Sequence, residues 1–237
     1  MNKIKCLTNN QLKIIACISM FFDHLGLMVF PKIILFRILG RIAFPIFVFM
    51  IAEGCYYTKN KLKHFLTIFI LGLIMQIVLY FFMNMTDFSI FLVFSVSIIL
   101  IYLFEYIEQN IIKNDIVKTV FFIMLFLSTL GTFFYITQNY NYFVGNYNFY
   151  GIISPLIIYI FKKYFGNYNI LASVIFISLA SIYHGIHINF WVNHLTFIGA
   201  LLLLLYNGKR GTAKLKYFFY IFYPLHFIIV YGISLLV

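Results

Sequence analysis

The chain has 237 residues, of which 64% are hydrophobic and 10% charged, where soluble domains carry about 25% charged residues. A mean hydropathy of +1.00 leaves too little polar surface to cover a globule in water. That excludes a soluble enzyme and makes the bilayer the solvent for most of the chain. The formal net charge of +11 would suggest nucleic acid in a soluble protein; here it fits short loops between membrane spans, and no nucleic-acid partner is expected.

A crossing helix needs roughly 20 apolar residues, and by that measure the sequence predicts an all-α polytopic transmembrane bundle of about nine spans. In chain order they fall near 11–30, 37–57, 64–83, 88–106, 117–136, 151–165, 169–184, 188–206 and 217–236. The first has no small-residue cleavage site and is interrupted by Asp23-His24, so it is expected to stay in the mature protein. The 237 residues read as one integral-membrane domain. Cys6, Cys17 and Cys55 show no paired spacing and read as packing residues, not as a disulfide framework or zinc site.

Orientation follows from Lys and Arg, which accumulate in cytoplasmic loops. With the N-terminus inside, fourteen of the seventeen basic residues fall on the cytoplasmic side, and only Lys32, Arg37 and Arg41 fall opposite. The enrichment in Ile, Asn, Lys, Phe and Tyr suggests an AT-rich bacterial genome, and the expected location is the bacterial cytoplasmic (inner) membrane, with the bilayer itself as a partner. The aromatic run from Gln138 to Tyr150 is expected to anchor at the interface. Pro45, Pro155 and Pro224 lie in or at the edge of spans, where a missing amide donor bends a helix; they mark either cavity walls or packing kinks.

An ionisable side chain at membrane depth costs roughly 3 kcal/mol on insertion scales, so each one is a functional candidate. At 1.5 Å per residue, Lys13 lies about 3 Å and His24 about 20 Å up the first span, while Arg41 and Glu53 lie about 6 Å and 24 Å down the second. Two layers result. The outer one combines Asp23, His24 and Arg41 with Arg37 at its rim, and the inner one combines Lys13 with Glu53. His226, beside Pro224, is placed to face the same cavity as His24 or to serve as a core histidine. A neutral imidazole can take a proton from an attacking hydroxyl or amine, and a nearby carboxylate can orient it. Asp23 directly precedes His24 and projects about 100° away from it, so Arg41 is an alternative partner for Asp23. The group also fits a purely structural ion pair. His184, His187 and His194 are spaced three and seven apart without carboxylate or cysteine, which favours interfacial placement over a metal site, and no metal is expected. His64, between Lys61, Lys63 and the third span, reads as an interfacial cation.

These residues carry a resemblance. Asp23-His24-Leu25-Gly26, Arg37 through Phe47 (RILGRIAFPIF) and Glu53-Gly54 with Thr58 resemble the N-terminal signature of the TraX family. Its polytopic members are named after a conjugation protein that acetylates the N-terminus of F-type pilin. Leu205 through Gly211 (LYNGKRG), Lys216 through Tyr220 and Tyr223-Pro224-Leu225-His226 resemble that family's closing motif. Tyr147-Asn148-Phe149-Tyr150-Gly151 resembles its middle segment, with Asn where the family often has an acid just before Tyr-Gly. Lys13, ten residues and then His24 is similar to the basic-x10-histidine pattern of type-three membrane acyltransferases.

The resemblance implies an acetyltransferase that uses acetyl-CoA as co-substrate. On this reading His24 acts as base, with Asp23, Arg41 and Glu53 beside it in the catalytic group. Lys13, Lys209 and Arg210 take the phosphates of the acyl-CoA, and Arg37, Tyr223 and His226 contact the acceptor. That acceptor is a peptide, a pilin-like protein or an envelope glycan at or beyond the outer face. Two other classes stay open: a transporter or flippase using the same charges as a path, and a non-catalytic scaffold in which they join helices.

Overall fold

The computed structural model describes residues 5–83, 87–139, 148–187, 191–213 and 215–236. They form helices α1 (Asn9–Met28), α2 (Ile34–Gly40), α3 (Ala43–Tyr57), α4 (Lys61–Met83), α5 (Ile90–Ile112), α6 (Ile116–Asn139), α7 (Asn148–Tyr164), α8 (Asn169–His187), α9 (Thr196–Leu202) and α10 (Lys216–Ser234), with short 3₁₀ turns after α7 and around α9. No strand occurs among the described residues; an isolated parallel bridge joins Leu7 to Tyr206. The architecture is thus all-helical.

Among the described residues, six stretches are long and apolar enough to cross a bilayer: Asn9–Met28, Ile34–Tyr57, Lys61–Phe81, Ile90–Ile112, Ile116–Asn139 and Gly166–Ile186. The other three spans expected from sequence appear as shorter elements. They are the 17-residue α7, the broken run Val192–Leu205, and Phe218–Ser234 within α10. Apolar runs of similar length look alike in composition; the run at 192–205 is broken by the 3₁₀ turns on both sides of α9, and α7 follows directly on residues outside the described ones. Pro155 lies inside α7, rather than at its start, and Pro224 inside α10. The expected second span is interrupted at Arg41-Ile42, between α2 and α3. Most of the interfacial run from Gln138 to Tyr150 lies outside the described residues.

The chain divides into two compact units, residues 1–50 with 164–237, and residues 51–163. In the first, α1 and α2 pack through glycines. A Cβ on Gly26 would come within 2.7 Å of Phe36 Cβ, and one on Gly40 would collide with the Asp23 side chain. Ser19 Oγ donates to the carbonyls of Leu39 (2.5 Å) and Gly40 (3.1 Å), satisfying acceptors that the end of α2 leaves open. Gly199 of α9 approaches the break, since a Cβ there would meet the Ile42 carbonyl oxygen at 2.5 Å.

Thr8 caps α1 in a reciprocal capping box with Gln11. The loop at 205–213 completes that cap. Leu7 N donates to Leu205 O, Asn9 N to Lys209 O and Asn10 N to Arg210 O, at 2.9, 2.8 and 3.2 Å.

In the second unit, α5 and α6 form an antiparallel hairpin. Its turn holds Asn114 at φ 54°, the left-handed position that ends many helices. Asp115 then caps α6, accepting from Lys118 N at 3.1 Å and Lys118 Nζ at 2.8 Å. These bonds hold its carboxyl below the usual carboxylate range.

Candidate functional site

The structure brings His24 of α1 and His226 of α10 into direct contact. His24 Nδ1 lies 2.9 Å from His226 Nε2, and His226 Nδ1 lies 3.0 Å from the Phe222 carbonyl oxygen one turn back. A carbonyl only accepts, so His226 Nδ1 carries the proton and its Nε2, in the neutral ring, carries the lone pair. His24 Nδ1–H therefore donates to His226 Nε2, the Met20 backbone one turn back also hydrogen-bonds the His24 ring, and the neutral ring keeps its lone pair on Nε2. The relay is held by aromatic packing. His226 is 1% exposed and stacks on Phe222 with ring centroids 5.2 Å apart. Tyr223 meets its ring edge-on at 5.3 Å, and Phe227 lies 4.0 Å from the His24 centroid. His24 itself retains partial exposure.

Asp23 turns away from His24, as the 100° step between adjacent helical residues requires. Its partner is Arg37, whose Nη1 lies 3.0 Å from Asp23 Oδ2 and also donates to the Asp23 backbone carbonyl at 3.3 Å. This corrects the rim position expected for Arg37. It is a buried residue of α2 that bonds one carboxylate oxygen and the backbone carbonyl of Asp23. Asp23 Oδ1 lies against Gly40, in the space a Cβ would fill, and takes no hydrogen bond. Arg41, at the break after α2, acts electrostatically on both Asp23 and His24, as Arg37 does. The expected outer layer of Asp23, His24, Arg37 and Arg41 is thus a single cluster, and His226 and Tyr223 join it from the last helix.

Lys13 sits one turn into α1, with its ammonium 5.7 Å from the Phe219 ring centroid. The exposed Lys209 and Arg210 sit at the same end of that unit, because their carbonyls cap the first amides of α1. The three expected donor-site cations therefore share one end of the helix that carries His24.

Glu53 belongs to the second unit. Its carboxylate is 4% exposed and pairs with Lys162 Nζ at 3.2 Å, a partner absent from the sequence reading, which matched Glu53 with Lys13. A second polar group surrounds it in that unit. Lys61 pairs with Glu105 and Tyr159 donates to the same carboxylate, while His64 Nδ1 bonds Tyr102 OH at 2.9 Å. His64 is thus a packed, hydrogen-bonded side chain instead of the interfacial cation expected. Gly54 makes room for it, since a Cβ there would lie 3.0 Å from His64 Nε2. Lys162→Met is expected to cost about 3 kcal/mol, as loss of one member of a buried pair does, and Glu53→Gln added to it should restore part of that loss. Thermal unfolding in detergent measures both.

His194 packs on Gly185, while the His187 side chain lies outside the described residues. Among the described residues no group of three or more His, Cys, Asp or Glu is disposed to hold a metal ion.

No solved structure matches the chain. An uncharacterized protein of Rickettsia prowazekii (strain Madrid E) is 43% identical over 72 residues, which are 30% of this chain and 27% of that protein. The chain thus aligns with little more than a quarter of that relative's length. The profile of the family described as TraX protein matches residues 8–234. With apolar helices long enough to cross a bilayer and a family match over nearly its whole length, this membrane protein belongs to the TraX family.

Proposed function

We propose that the protein is an integral-membrane acetyltransferase of the bacterial cytoplasmic membrane. It moves an acetyl group from cytoplasmic acetyl-CoA to an amine or hydroxyl at or beyond the outer face. The observation that carries this reading is the His24–His226 pair, which directs the lone pair of the neutral His24 ring to Nε2, in a residue that is only half-buried. A scaffold needs no such relay, because a helix-joining group gains little over apolar packing.

Coenzyme A phosphates bind at the end of α1 that carries Lys13, Lys209 and Arg210, attracted by clustered positive charge. The acetyl thioester then reaches toward His24, about 16 Å along the helix from Lys13. His24 Nε2 takes the proton of the acceptor as its oxygen or nitrogen attacks the thioester carbonyl. His226 accepts the Nδ1–H bond and so fixes the reactive tautomer. Arg41 stabilises the oxyanion that forms. Collapse breaks the carbon–sulfur bond, and the proton held on His24 passes to the departing thiolate. Asp23 offsets the arginine charge and so makes a protonated His24 tolerable.

Purified protein incubated with labelled acetyl-CoA tests the reading: release of coenzyme A or transfer of label is expected. Uptake without thioester cleavage would instead identify a carrier. Lys209→Ala combined with Arg210→Ala is expected to weaken coenzyme A binding about tenfold at low ionic strength, with the gap closing as salt rises. Titration calorimetry at two salt concentrations checks it, and equal affinity at both would remove this loop from the donor site.

A further inference from the structure

The apolar stretch Ile34–Tyr57 is one run by composition, yet its helix is broken at Arg41-Ile42. A break at membrane depth leaves backbone carbonyls where no water can reach them, so it persists only where neighbouring groups satisfy them. Ser19 of α1 does this, its buried hydroxyl meeting the carbonyls of Leu39 and Gly40 at 2.5 and 3.1 Å. Its choice of partner differs from that of other buried serines. Ser95, Ser154, Ser173 and Ser181 each bond the carbonyl four residues back in their own helix, as helical serines commonly do. Ser19 reaches across to another helix instead.

The break is also confined from its other side, where a Cβ on Gly199 would meet the Ile42 carbonyl oxygen at 2.5 Å. Between these two contacts stands Arg41, 8% exposed, whose charge acts on His24. The Gly40 carbonyl belongs to the planar peptide unit that joins Gly40 to Arg41, so a bond that holds the carbonyl also holds the backbone nitrogen of Arg41. Ser19 lies one turn before Asp23 and so shares its face of α1, which ties the break to the helix that carries His24. We infer that Ser19 is a positioning residue: by holding the last two carbonyls of α2 it fixes the place from which Arg41 acts on the reaction centre. The inference rests on the acetyltransferase reading and adds to it a residue that works through Arg41.

Coenzyme A release from acetyl-CoA by the full-length protein in lipid nanodiscs, with water or a peptide bearing a free N-terminal amine as acceptor, tests this. Ser19→Ala should lower kcat roughly tenfold, as small displacements of a group that acts in the transition state do. KM for acetyl-CoA and the number of coenzyme A sites per chain, counted by titration calorimetry, should stay unchanged. Ser19→Thr keeps the hydroxyl and should recover most of the rate. Gly199→Ala presses on the same break from the other side and should produce a similar fall. In Arg41→Gln, which is already slow, adding Ser19→Ala should cost less than about twofold more, because the two residues act as one. An unchanged kcat in Ser19→Ala, an equal loss in Ser19→Thr with every site retained, or a further tenfold loss in the Arg41→Gln background overturns the inference while the acetyltransferase reading stands. Should Ser19→Ala alone lose its coenzyme A sites, the rate of Gly199→Ala decides; lost sites in both variants assign the contact to folding and overturn the inference too. No coenzyme A release by the parent protein sinks both.

Discussion

His24→Ala is expected to abolish measurable acetyl transfer, a loss of about 10²- to 10⁴-fold if the imidazole acts as general base, while the protein stays folded in the membrane. His226→Phe distinguishes a relay from a lone base. Phenylalanine keeps the ring packed between Phe222 and Phe227 but removes the nitrogen that receives His24 Nδ1–H. Without that acceptor the two His24 tautomers compete, and a fall of roughly ten- to a hundredfold is expected, as for other partners that fix an imidazole's tautomer. Because the loss lies in the chemical step, it should appear in kcat with KM for acetyl-CoA little changed. Single-turnover transfer with both variants checks it. Undiminished turnover in His24→Ala would remove the base, and undiminished turnover in His226→Phe would remove the relay.

Gly40→Ala should be as damaging as a charge reversal, although it adds one methyl group. The new Cβ would occupy the position of the Asp23 side chain, and overpacking of this kind costs about 1–3 kcal/mol. The shift would also draw Oδ2 away from Arg37, and breaking a buried pair costs about 3–5 kcal/mol. Asp23→Asn removes the charge without the clash. The expected signature is that Gly40→Ala in the Asp23→Gly background costs far less than in the parent, since neither the Asp23 Cβ nor its carboxyl is left to collide. Thermal unfolding of the four proteins in one detergent provides the cycle. Additive losses would show that Gly40 and Asp23 do not share this space.

The helical class, the membrane and the nearness of Asp23 to Arg37 were legible in the sequence, because hydropathy marks spans directly and an ionised side chain within an apolar span is rare enough to stand out. Pairing was less legible. Asp23 lies one turn or so from both Arg37 and Arg41 once α2 folds back, and helical rise alone cannot separate candidates four residues apart; the choice of Arg37 depends on Gly26 and Gly40 bringing α2 close to α1. The Glu53–Lys162 pair joins residues 109 positions apart, and depth estimates within two helices contain no information about a seventh. His226 was placed near the cavity through its proline neighbour, but its role as the acceptor for His24 was hidden. The clue available was the four-residue spacing from Phe222 to His226, which lets an imidazole Nδ1 return to a carbonyl in its own helix and so expose a lone pair at Nε2. Span length was the poorest guide, since 3₁₀ turns beside α9 divide an apolar run without changing its composition.

The bonds that finish α1 come from the far end of the chain: Asn10 Nδ2 donates to the Ala213 carbonyl 203 positions away, and the two histidines are 202 apart. The histidine pair therefore cannot form until both α1 and α10 have been made and have docked. Docking of such distant segments is slow relative to local helix formation, so the pair assembles late in folding. A fragment that lacks either helix would enter the membrane without the pair.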